Sequence, residues 1–275
     1  MNMAVASPLE GFRGHCLAEQ MQARLMNRVD TKFLVPAYLL DACLRGLEHH
    51  YSILEIDGRR RFTYDTLYFD TPERQLYLDH HNGKLNRFKL RIRHYRETGD
   101  SFLEVKKKNN RERTIKNRLP LTSQTVASSR VVPFLEEQLG RPVAGMLPAL
   151  FVHYHRITLL SRTGHERVTV DTDICFEHSG EHQRIGLPGV VLVEVKSLRH
   201  QRRSPVLDIL KRMGHRPVSF SKYCIGTALL CRGRIKANRF KPVLSKLDAL
   251  RAPREYRYFK ESSWNLQLMS ISLSA

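Results

Sequence analysis

Basic and apolar residues alternate in the stretch RFKLRIRHYR, which spans residues 87 to 96. The basic positions are Arg87, Lys89, Arg91 and Arg93. Period-two alternation is typical of a strand with one buried face. Here the other face would carry four like charges, which repel one another. The pattern therefore predicts an anion with several negative charges on that side of the strand.

Four further stretches of the chain also have one apolar and one ionised face. Their ionised faces carry Arg28, Asp30 and Lys32; Glu104, Lys106 and Lys108; Arg167, Thr169, Asp171 and Asp173; and Glu194 and Lys196. For a single strand, a polar face turned to water is a sufficient explanation, since antiparallel sheets often have one. The sign of the charge argues for more, because residues 87 to 118 hold twelve Lys and Arg against four Asp and Glu. Neighbouring strands whose side chains are mostly positive favour a face that binds phosphate.

Two glutamates lie among these cations, and each precedes a lysine by two positions. Glu104 precedes Lys106, and Glu194 precedes Lys196. A carboxylate beside bound phosphates is repelled by them unless a divalent cation lies between the two, and Mg²⁺ is commonly held by one or two carboxylates plus phosphate oxygens. Cations that hold phosphates, together with a metal ion, are the equipment of phosphoryl transfer.

The overall charge points to the same class of ligand. The chain of 275 residues carries 46 Lys and Arg against 27 Asp and Glu, a formal net charge of +19. Such a field attracts polyanions, whether nucleic acid, anionic lipid or phosphate compounds. Nucleic-acid readers usually interleave aromatic residues with basic ones on an accessible sheet. The basic faces here carry few aromatic residues, which counts against a nucleic-acid-binding module.

The cellular compartment is suggested by what the sequence lacks. Five cysteines are scattered without a CxxC pair, which favours buried thiols in a reducing cytoplasm. The first residues have neither the basic start nor the apolar core of a signal peptide. No apolar run approaches the roughly 18 to 20 residues that cross a bilayer. We expect a cytoplasmic protein.

About eight strands with antiparallel spacing, plus helices between and around them, predict an α+β fold with a large sheet or barrel. Strands are predicted at 28–35, 62–70, 86–96, 101–108, 112–121, 150–160, 166–176 and 190–196, and helices at 8–27, 36–50, 71–81, 122–140, 204–214 and, as the last, 221–232. Tyr64, Tyr68, Phe69 and Tyr77 are expected on the outer wall of this sheet, under helices. We predict one domain over residues 1–232 and a basic, poorly ordered C-terminal tail over 233–275.

A set of short motifs resembles the VTC-type polyphosphate polymerase domain of the triphosphate tunnel metalloenzyme (CYTH-like) superfamily. In order, the motifs are RVDTKF, TLYFDTPERQLY, KLRIR, FLEVKKK, TIKNR, YHR, RVTVDTD, LVEVK and SFSKY. An ExK pair alone is not informative, but the ordered set is specific and covers about residues 24 to 230.

The resemblance implies an antiparallel eight-stranded β-barrel whose interior is a tunnel, with helices packed around it. It implies that ATP binds there with Mn²⁺ or Mg²⁺ and that its terminal phosphoryl group passes to a growing polyphosphate chain. The implied partners are ATP and polyphosphate, without a specific nucleic-acid partner. The residues assigned to catalysis are Arg91, Arg93, Lys106, Arg156 and Glu194, with Glu194 also the metal ligand. The residues assigned to the nucleotide phosphates are Lys32, Lys89, Lys116, Lys196, Ser221 and Lys222.

One departure from related hydrolases bears on the reaction. Asp30 occupies the position of a first-strand glutamate in those enzymes, so its carboxylate is one methylene shorter. Fewer carboxylates favour synthesis over hydrolysis, because hydrolysis needs a carboxylate-held metal ion or water. Two alternatives remain open at this stage: a metal-dependent tunnel triphosphatase, and a non-catalytic module that binds polyphosphate or nucleic acid.

Overall fold

The fold is known from a computed structural model of the chain. It describes residues 7–22, 28–110, 114–123, 125, 130–140, 142–143, 145–180, 183–198 and 204–250. The side chain of Arg28 and residues 251–275, which make up most of the predicted tail, lie outside the described part.

Eleven strands of the described residues form one sheet. They are β1 (Arg13–His15), β2 (Arg28–Pro36), β3 (Tyr51–Leu54), β4 (Phe62–Asp70), β5 (Arg87–Tyr95), β6 (Ser101–Lys108), β7 (Thr114–Pro120), β8 (Leu147–Ser161), β9 (Glu166–His178), β10 (Arg184–Gly186) and β11 (Val190–Leu198). Eight of them follow one antiparallel path in the order β2-β11-β9-β8-β4-β5-β6-β7. The α+β class and the eight antiparallel strands of the prediction are confirmed. The sheet is not a closed barrel, because β2 and β7, the strands at the two ends of this path, do not pair with each other within the described ranges.

The described helices lie on both faces of this sheet. They are α1 (Leu17–Gln22), α2 (Leu40–Arg45), α3 (Gln75–His81), α4 (Val131–Leu139), α5 (Pro205–Arg212), α6 (Lys222–Leu230) and α7 (Lys241–Leu250), with 3-10 turns at Ala37–Leu39 and Asn238–Phe240. No helix of the described residues is long and apolar enough to span a membrane.

Three apolar clusters divide the core between the two faces. One face of the sheet packs against α2 and α5 at one end and against α4 at the other. It carries the apolar residues of the alternating strands, such as Val193 of β11 and Ile92 of β5. The opposite face packs against α6 and α7 along β8, β9 and β11. The remaining part of that opposite face carries the charges described below.

Some predicted helices differ from the observed ones. Residues 8–27 do not form one helix, because residues 13–15 pair in parallel with β3 and the described helix is only Leu17–Gln22. Gly11 and Gly14 weaken a helix at this point. Within the predicted helix 122–140, α4 covers Val131–Leu139, and Pro133 lies in its first turn, where the missing N–H costs nothing.

The helix predicted at 221–232 is observed as α6, but it is not the last helix. Residues 221–232 are followed by α7, whose Val243 and Leu247 are buried against the same core cluster as α6. The beginning of the predicted tail is therefore part of the packed domain.

Candidate functional site

Strand pairing brings the predicted charged residues onto one face of the sheet, which we call the ionised face. Lys32 lies opposite Glu194, and Arg91 lies opposite Glu104. Arg156 lies opposite Asp171. These registers follow from the period-two patterns, since each strand must place its apolar set on the side covered by α2, α4 and α5. The ionised face is therefore a direct consequence of burying the alternate residues.

Glu104 is the buried centre of the first charge cluster. Its carboxylate lies 2.7 Å from Arg91, 3.8 Å from Arg93, and in contact with Lys116 of β7. Burial alone would raise the pKa of Glu104, but the three cations outweigh it and hold that pKa well below its usual range. Glu104 is thus ionised at neutral pH and serves as a counter-ion to three cations.

Asp171 is the centre of a second cluster, and it is completely buried. Arg156 donates two hydrogen bonds to its two oxygens, at 2.6 and 2.9 Å, and the Lys222 ammonium also contacts it. Burial would raise the pKa of Asp171, but Arg156 and Lys222 keep it below its usual value. Sequence reasoning placed Asp171 on the ionised face but gave it no role.

Glu194 is the centre of the third cluster. It lies 2.6 Å from Lys196 on its own strand and 3.6 Å from Lys32 on β2. These two cations overcome the effect of burial and hold the pKa of Glu194 well below its usual value. Across the three clusters, seven cations surround three carboxylates. The ionised face therefore keeps a large excess of positive charge.

Lys89 and Lys106 add to that excess without a carboxylate of their own. Lys89 donates a 2.8 Å hydrogen bond to the hydroxyl of Ser221, and Lys106 makes no ion pair with any described acid. Burial and the neighbouring cations lower the pKa of each of these lysines to about 8. Both are charged at neutral pH and lack the anion that would stabilise them.

Helix α6 delivers two of the predicted residues to the ionised face. Ser221 is its N-cap, and its hydroxyl accepts the backbone N–H of Cys224 at 3.3 Å. Lys222 follows as the first residue of the helix and reaches across to Asp171. The SFSK sequence therefore places a hydroxyl and an ammonium group over the sheet at the start of the helix.

Aromatic rings lie among the cations, which corrects one prediction. Tyr64 and Tyr68 share the ionised face rather than the outer wall, because β4 alternates and Tyr68 lies opposite Arg91. The Tyr68 hydroxyl accepts a 3.0 Å hydrogen bond from Arg91, and the guanidinium carbon of Arg93 lies 5.6 Å from the Tyr64 ring centre. Ring faces near guanidinium groups stabilise them when water is excluded.

The other two aromatic residues of that prediction lie on different sides. Phe69 packs with the outer cluster under α4, as expected. Tyr77 of α3 instead joins the cluster on the side of the ionised face, and its ring meets Phe240 edge-on.

Asp173 is a further correction. It was expected beside Asp171, but a register shift in the pairing of β8 with β9 interrupts the alternation. Asp173 has a left-handed φ of 53° and forms an exposed ion pair with Arg61 instead. A β-bulge of this kind turns a side chain away from the face that sequence spacing assigns to it.

The donor set fits a divalent metal ion only in one way. No group of three or more His, Cys, Asp or Glu within the described ranges is arranged to hold a metal. Glu194 is the carboxylate that the sequence assigns to this role, and both of its neighbours are lysines. Mg²⁺ and Mn²⁺ sites with one carboxylate take their remaining ligands from substrate phosphates and water. The residues present fit a metal ion that arrives with phosphates.

The sequence match decides the family. The VTC domain matches residues 27–231 of the chain. The chain belongs to the VTC domain family. The resemblance drawn from the ordered motifs is thereby confirmed, and the matched range includes all eleven predicted site residues of this VTC domain.

Comparisons with solved structures place the VTC domain beside proteins of low sequence identity. HpAC1 from Hippeastrum, described as an adenylyl cyclase candidate with a dominant triphosphatase activity, is 16% identical, with a TM-score of 0.48 over 74% of this chain and 96% of that one. An adenylate cyclase candidate from Vibrio parahaemolyticus is also 16% identical, with a TM-score of 0.38 over 85% of this chain and 97% of that one. No curated protein matches the chain in sequence.

Proposed function

We propose that this VTC domain is an ATP-dependent polyphosphate polymerase, which transfers the terminal phosphoryl group of ATP to the end of a growing polyphosphate chain. The observation that carries the proposal is the excess of buried cations on the ionised face. Seven cations surround three carboxylates, and Lys89 and Lys106 lie beside them without an acidic partner. A substrate with several phosphates supplies the missing negative charge.

The donors of the ionised face suit phosphate oxygens. The Nε atom of Arg93 is buried without a hydrogen-bond acceptor in the part of the chain described. Arg93 thus provides a planar donor group of the kind that binds phosphate through two atoms at once, while Arg91 and Arg156, which already donate to Glu104 and Asp171, add positive charge. A buried donor without an acceptor costs about 1–3 kcal/mol, so a bound phosphate oxygen would recover that free energy.

The reaction needs little acid–base chemistry from the protein. An oxygen of the terminal phosphate of the chain attacks the γ-phosphorus of ATP, a new P–O–P bond forms, and the bond to the β-phosphate breaks to release ADP. The attacking oxygen is already ionised, so the contribution of the protein is to align two polyanions and neutralise their charge. A divalent ion held by Glu194 and phosphate oxygens would supply further neutralisation of the triphosphate.

The state of the carboxylates favours transfer to phosphate over transfer to water. A general base for hydrolysis needs a pKa near the working pH. The pKa values of Glu104, Asp171 and Glu194 are all held low by their cationic partners. These acids are thus weak bases toward water, which supports synthesis as the main reaction.

Product analysis tests the proposal. Purified protein incubated with ATP and Mn²⁺ is expected to give a ladder of polyphosphate chains on a gel. Free orthophosphate alone would indicate a tunnel triphosphatase instead. Steep salt-dependent binding of RNA without any ATP turnover would indicate a non-catalytic module.

Two variants test the assignment of the site against one control. Arg91→Ala and Glu194→Ala are both expected to abolish chain synthesis. Arg212→Ala removes the same charge as Arg91→Ala from an exposed position on α5. It is expected to keep full activity. Normal synthesis by either of the first two variants would overturn the assignment.

A further inference from the structure

A further basic cluster, distinct from the three carboxylate clusters, lies at one end of the ionised face, where β5 begins and β6 ends. It lines a cavity of about 190 Å³. The titratable side chains that line it are His80, Arg87, Lys89, Lys106, Lys108 and Arg239, with Cys224 behind them. None of the lining residues is an aspartate or glutamate. This cavity, which we call the acid-free pocket, differs in that respect from the three clusters of the ionised face.

The charge of the acid-free pocket is high at neutral pH. His80 adds none of it, because burial and the adjacent Lys89 and Arg87 lower the pKa of His80 to about 2. The remaining five side chains are cationic, and none makes an ion pair with an acid of the described residues. The pocket thus concentrates positive charge that nothing within it balances.

Arg239 reaches the pocket from beyond the residues that match the VTC domain, which end at 231. The 3-10 turn Asn238–Phe240 rests against the end of α3 and holds Arg239 in place. The backbone N–H of Arg239 donates to Nε2 of His81 at 3.3 Å, and the Arg239 guanidinium donates to the carbonyl oxygen of His81 at 3.2 Å. Gly83 leaves the space for that guanidinium, because a Cβ at Gly83 would collide with it.

The pocket continues directly from the Glu104 cluster. Lys106 is two residues from Glu104 on β6, a distance of about 7 Å along a strand. Lys89 has the same relation to Arg91 on β5. A phosphate chain bound at Arg91 can therefore extend into the acid-free pocket without leaving the line of cations.

We propose that the acid-free pocket is a metal-free phosphate subsite, which binds the phosphates of an inorganic polyphosphate chain next to those held at Arg91. It takes phosphate without a divalent ion because it contains no carboxylate to hold one, and phosphates coordinated by a metal carry less charge for its cations. Lys108 and Arg239 distinguish it from the neighbouring site, since neither belongs to the three carboxylate clusters or to the residues assigned to the nucleotide phosphates and catalysis. The identity of the ligand as a phosphate chain rests on the proposed function.

Calorimetric titration with inorganic tripolyphosphate in the presence of EDTA tests the proposal. Lys108→Gln and Arg239→Gln are each expected to weaken binding about 10- to 100-fold, the loss of one charge-assisted hydrogen bond. Lys108→Arg keeps the charge and is expected to retain affinity within about twofold. Arg212→Gln is the matched control, because it lowers the net charge equally from exposed α5. Melting temperatures without ligand show that each variant is folded.

The outcomes separate the pocket from the polymerase activity. Metal-free binding that depends on Lys108 and Arg239 supports the pocket even if ATP gives no ladder. Equal affinity for the wild type, Lys108→Gln and Arg239→Gln overturns the pocket even if ATP gives one. A loss equal to that of Arg212→Gln also overturns it, since it would reflect only the overall charge.

Discussion

Lys89 and Lys106 lie directly opposite each other on neighbouring antiparallel strands, β5 and β6. On its other side Lys106 lies opposite Lys116 of β7, so three lysines form a row across three strands. Like charges directly opposite each other destabilise a sheet. The repulsion within this row of lysines lowers the stability of the free protein, and a bound polyanion offsets that repulsion.

The first prediction is that Lys106→Met stabilises the free protein while it impairs synthesis. Burial and the cations Lys89, Lys32 and Arg91 lower the pKa of Lys106 to about 8, so its charge is unfavourable in the folded state at pH 7. Methionine keeps the apolar stem, and we expect a gain in the free energy of unfolding on the order of 1 kcal/mol. Urea unfolding at pH 7 without phosphate measures it.

The sign of the pH effect provides a control for this prediction. The folded pKa of about 8 lies below the unfolded value of 10.5, so the unfolded state binds more protons between these two pH values. The penalty from Lys106 is fully present below pH 8 and is relieved as the pH rises toward 10.5. The advantage of Lys106→Met should therefore shrink over that range, and an equal advantage at pH 7 and pH 10 would contradict the explanation.

The second prediction is that phosphate binding weakens between pH 7 and pH 9 and takes up protons. Lys106 faces Lys89, Lys32 and Arg91 as well as the carboxylate of Glu194, and it loses its proton above pH 8. Burial lowers the pKa of three more lysines of the ionised face to about 8: Lys89, Lys116 and Lys196. A bound polyanion raises these pKa values again.

Calorimetry in two buffers measures the proton uptake. At pH 8 the enthalpy of tripolyphosphate binding should depend on the ionisation enthalpy of the buffer. An enthalpy that is the same in both buffers would show that the lysines stay charged throughout. Titrations at pH 7 and pH 9 and equal salt concentration give the expected several-fold loss of affinity.

Period-two alternation predicted the ionised face well because it is a local property of each strand. Arg91 and Glu104 face the same side as soon as Leu90 and Leu103 are buried on the other. The three-way pairing of Asp171 with Arg156 and Lys222 joins two strands and the start of α6, and no local pattern contains that information. The bulge that removes Asp173 and the docking of Arg239 are likewise set by contacts between distant segments.

The third prediction concerns Asp171→Asn. The substitution removes the counter-ion of Arg156 and Lys222 while it keeps the shape of the side chain. Loss of one partner of a buried ion pair costs about 3–5 kcal/mol, so we expect strong destabilisation in the absence of ligand. Thermal unfolding with and without tripolyphosphate measures it.

The ligand dependence is the decisive part of that experiment. A bound polyanion replaces the lost charge, so tripolyphosphate should raise the melting temperature of Asp171→Asn more than that of the wild type. A smaller shift in the variant would mean that the ligand does not contact Arg156 or Lys222. Asp248→Asn is a matched control, because it removes the carboxylate of an exposed ion pair with Arg232.

The fourth prediction separates two roles of Ser221, which caps α6 and accepts a hydrogen bond from Lys89. Ser221→Ala should cost about 1 kcal/mol of stability through the lost cap. It should also weaken tripolyphosphate binding, because the Lys89 ammonium loses the hydroxyl that orients it. Ser204→Ala is the control, since Ser204 caps α5 in the same way on the opposite face of the sheet. Both variants should lose stability, but only Ser221→Ala should lose affinity for tripolyphosphate. An equal loss of affinity in both would show that the Ser221 hydroxyl acts only as the cap of α6 and does not orient Lys89 for the ligand.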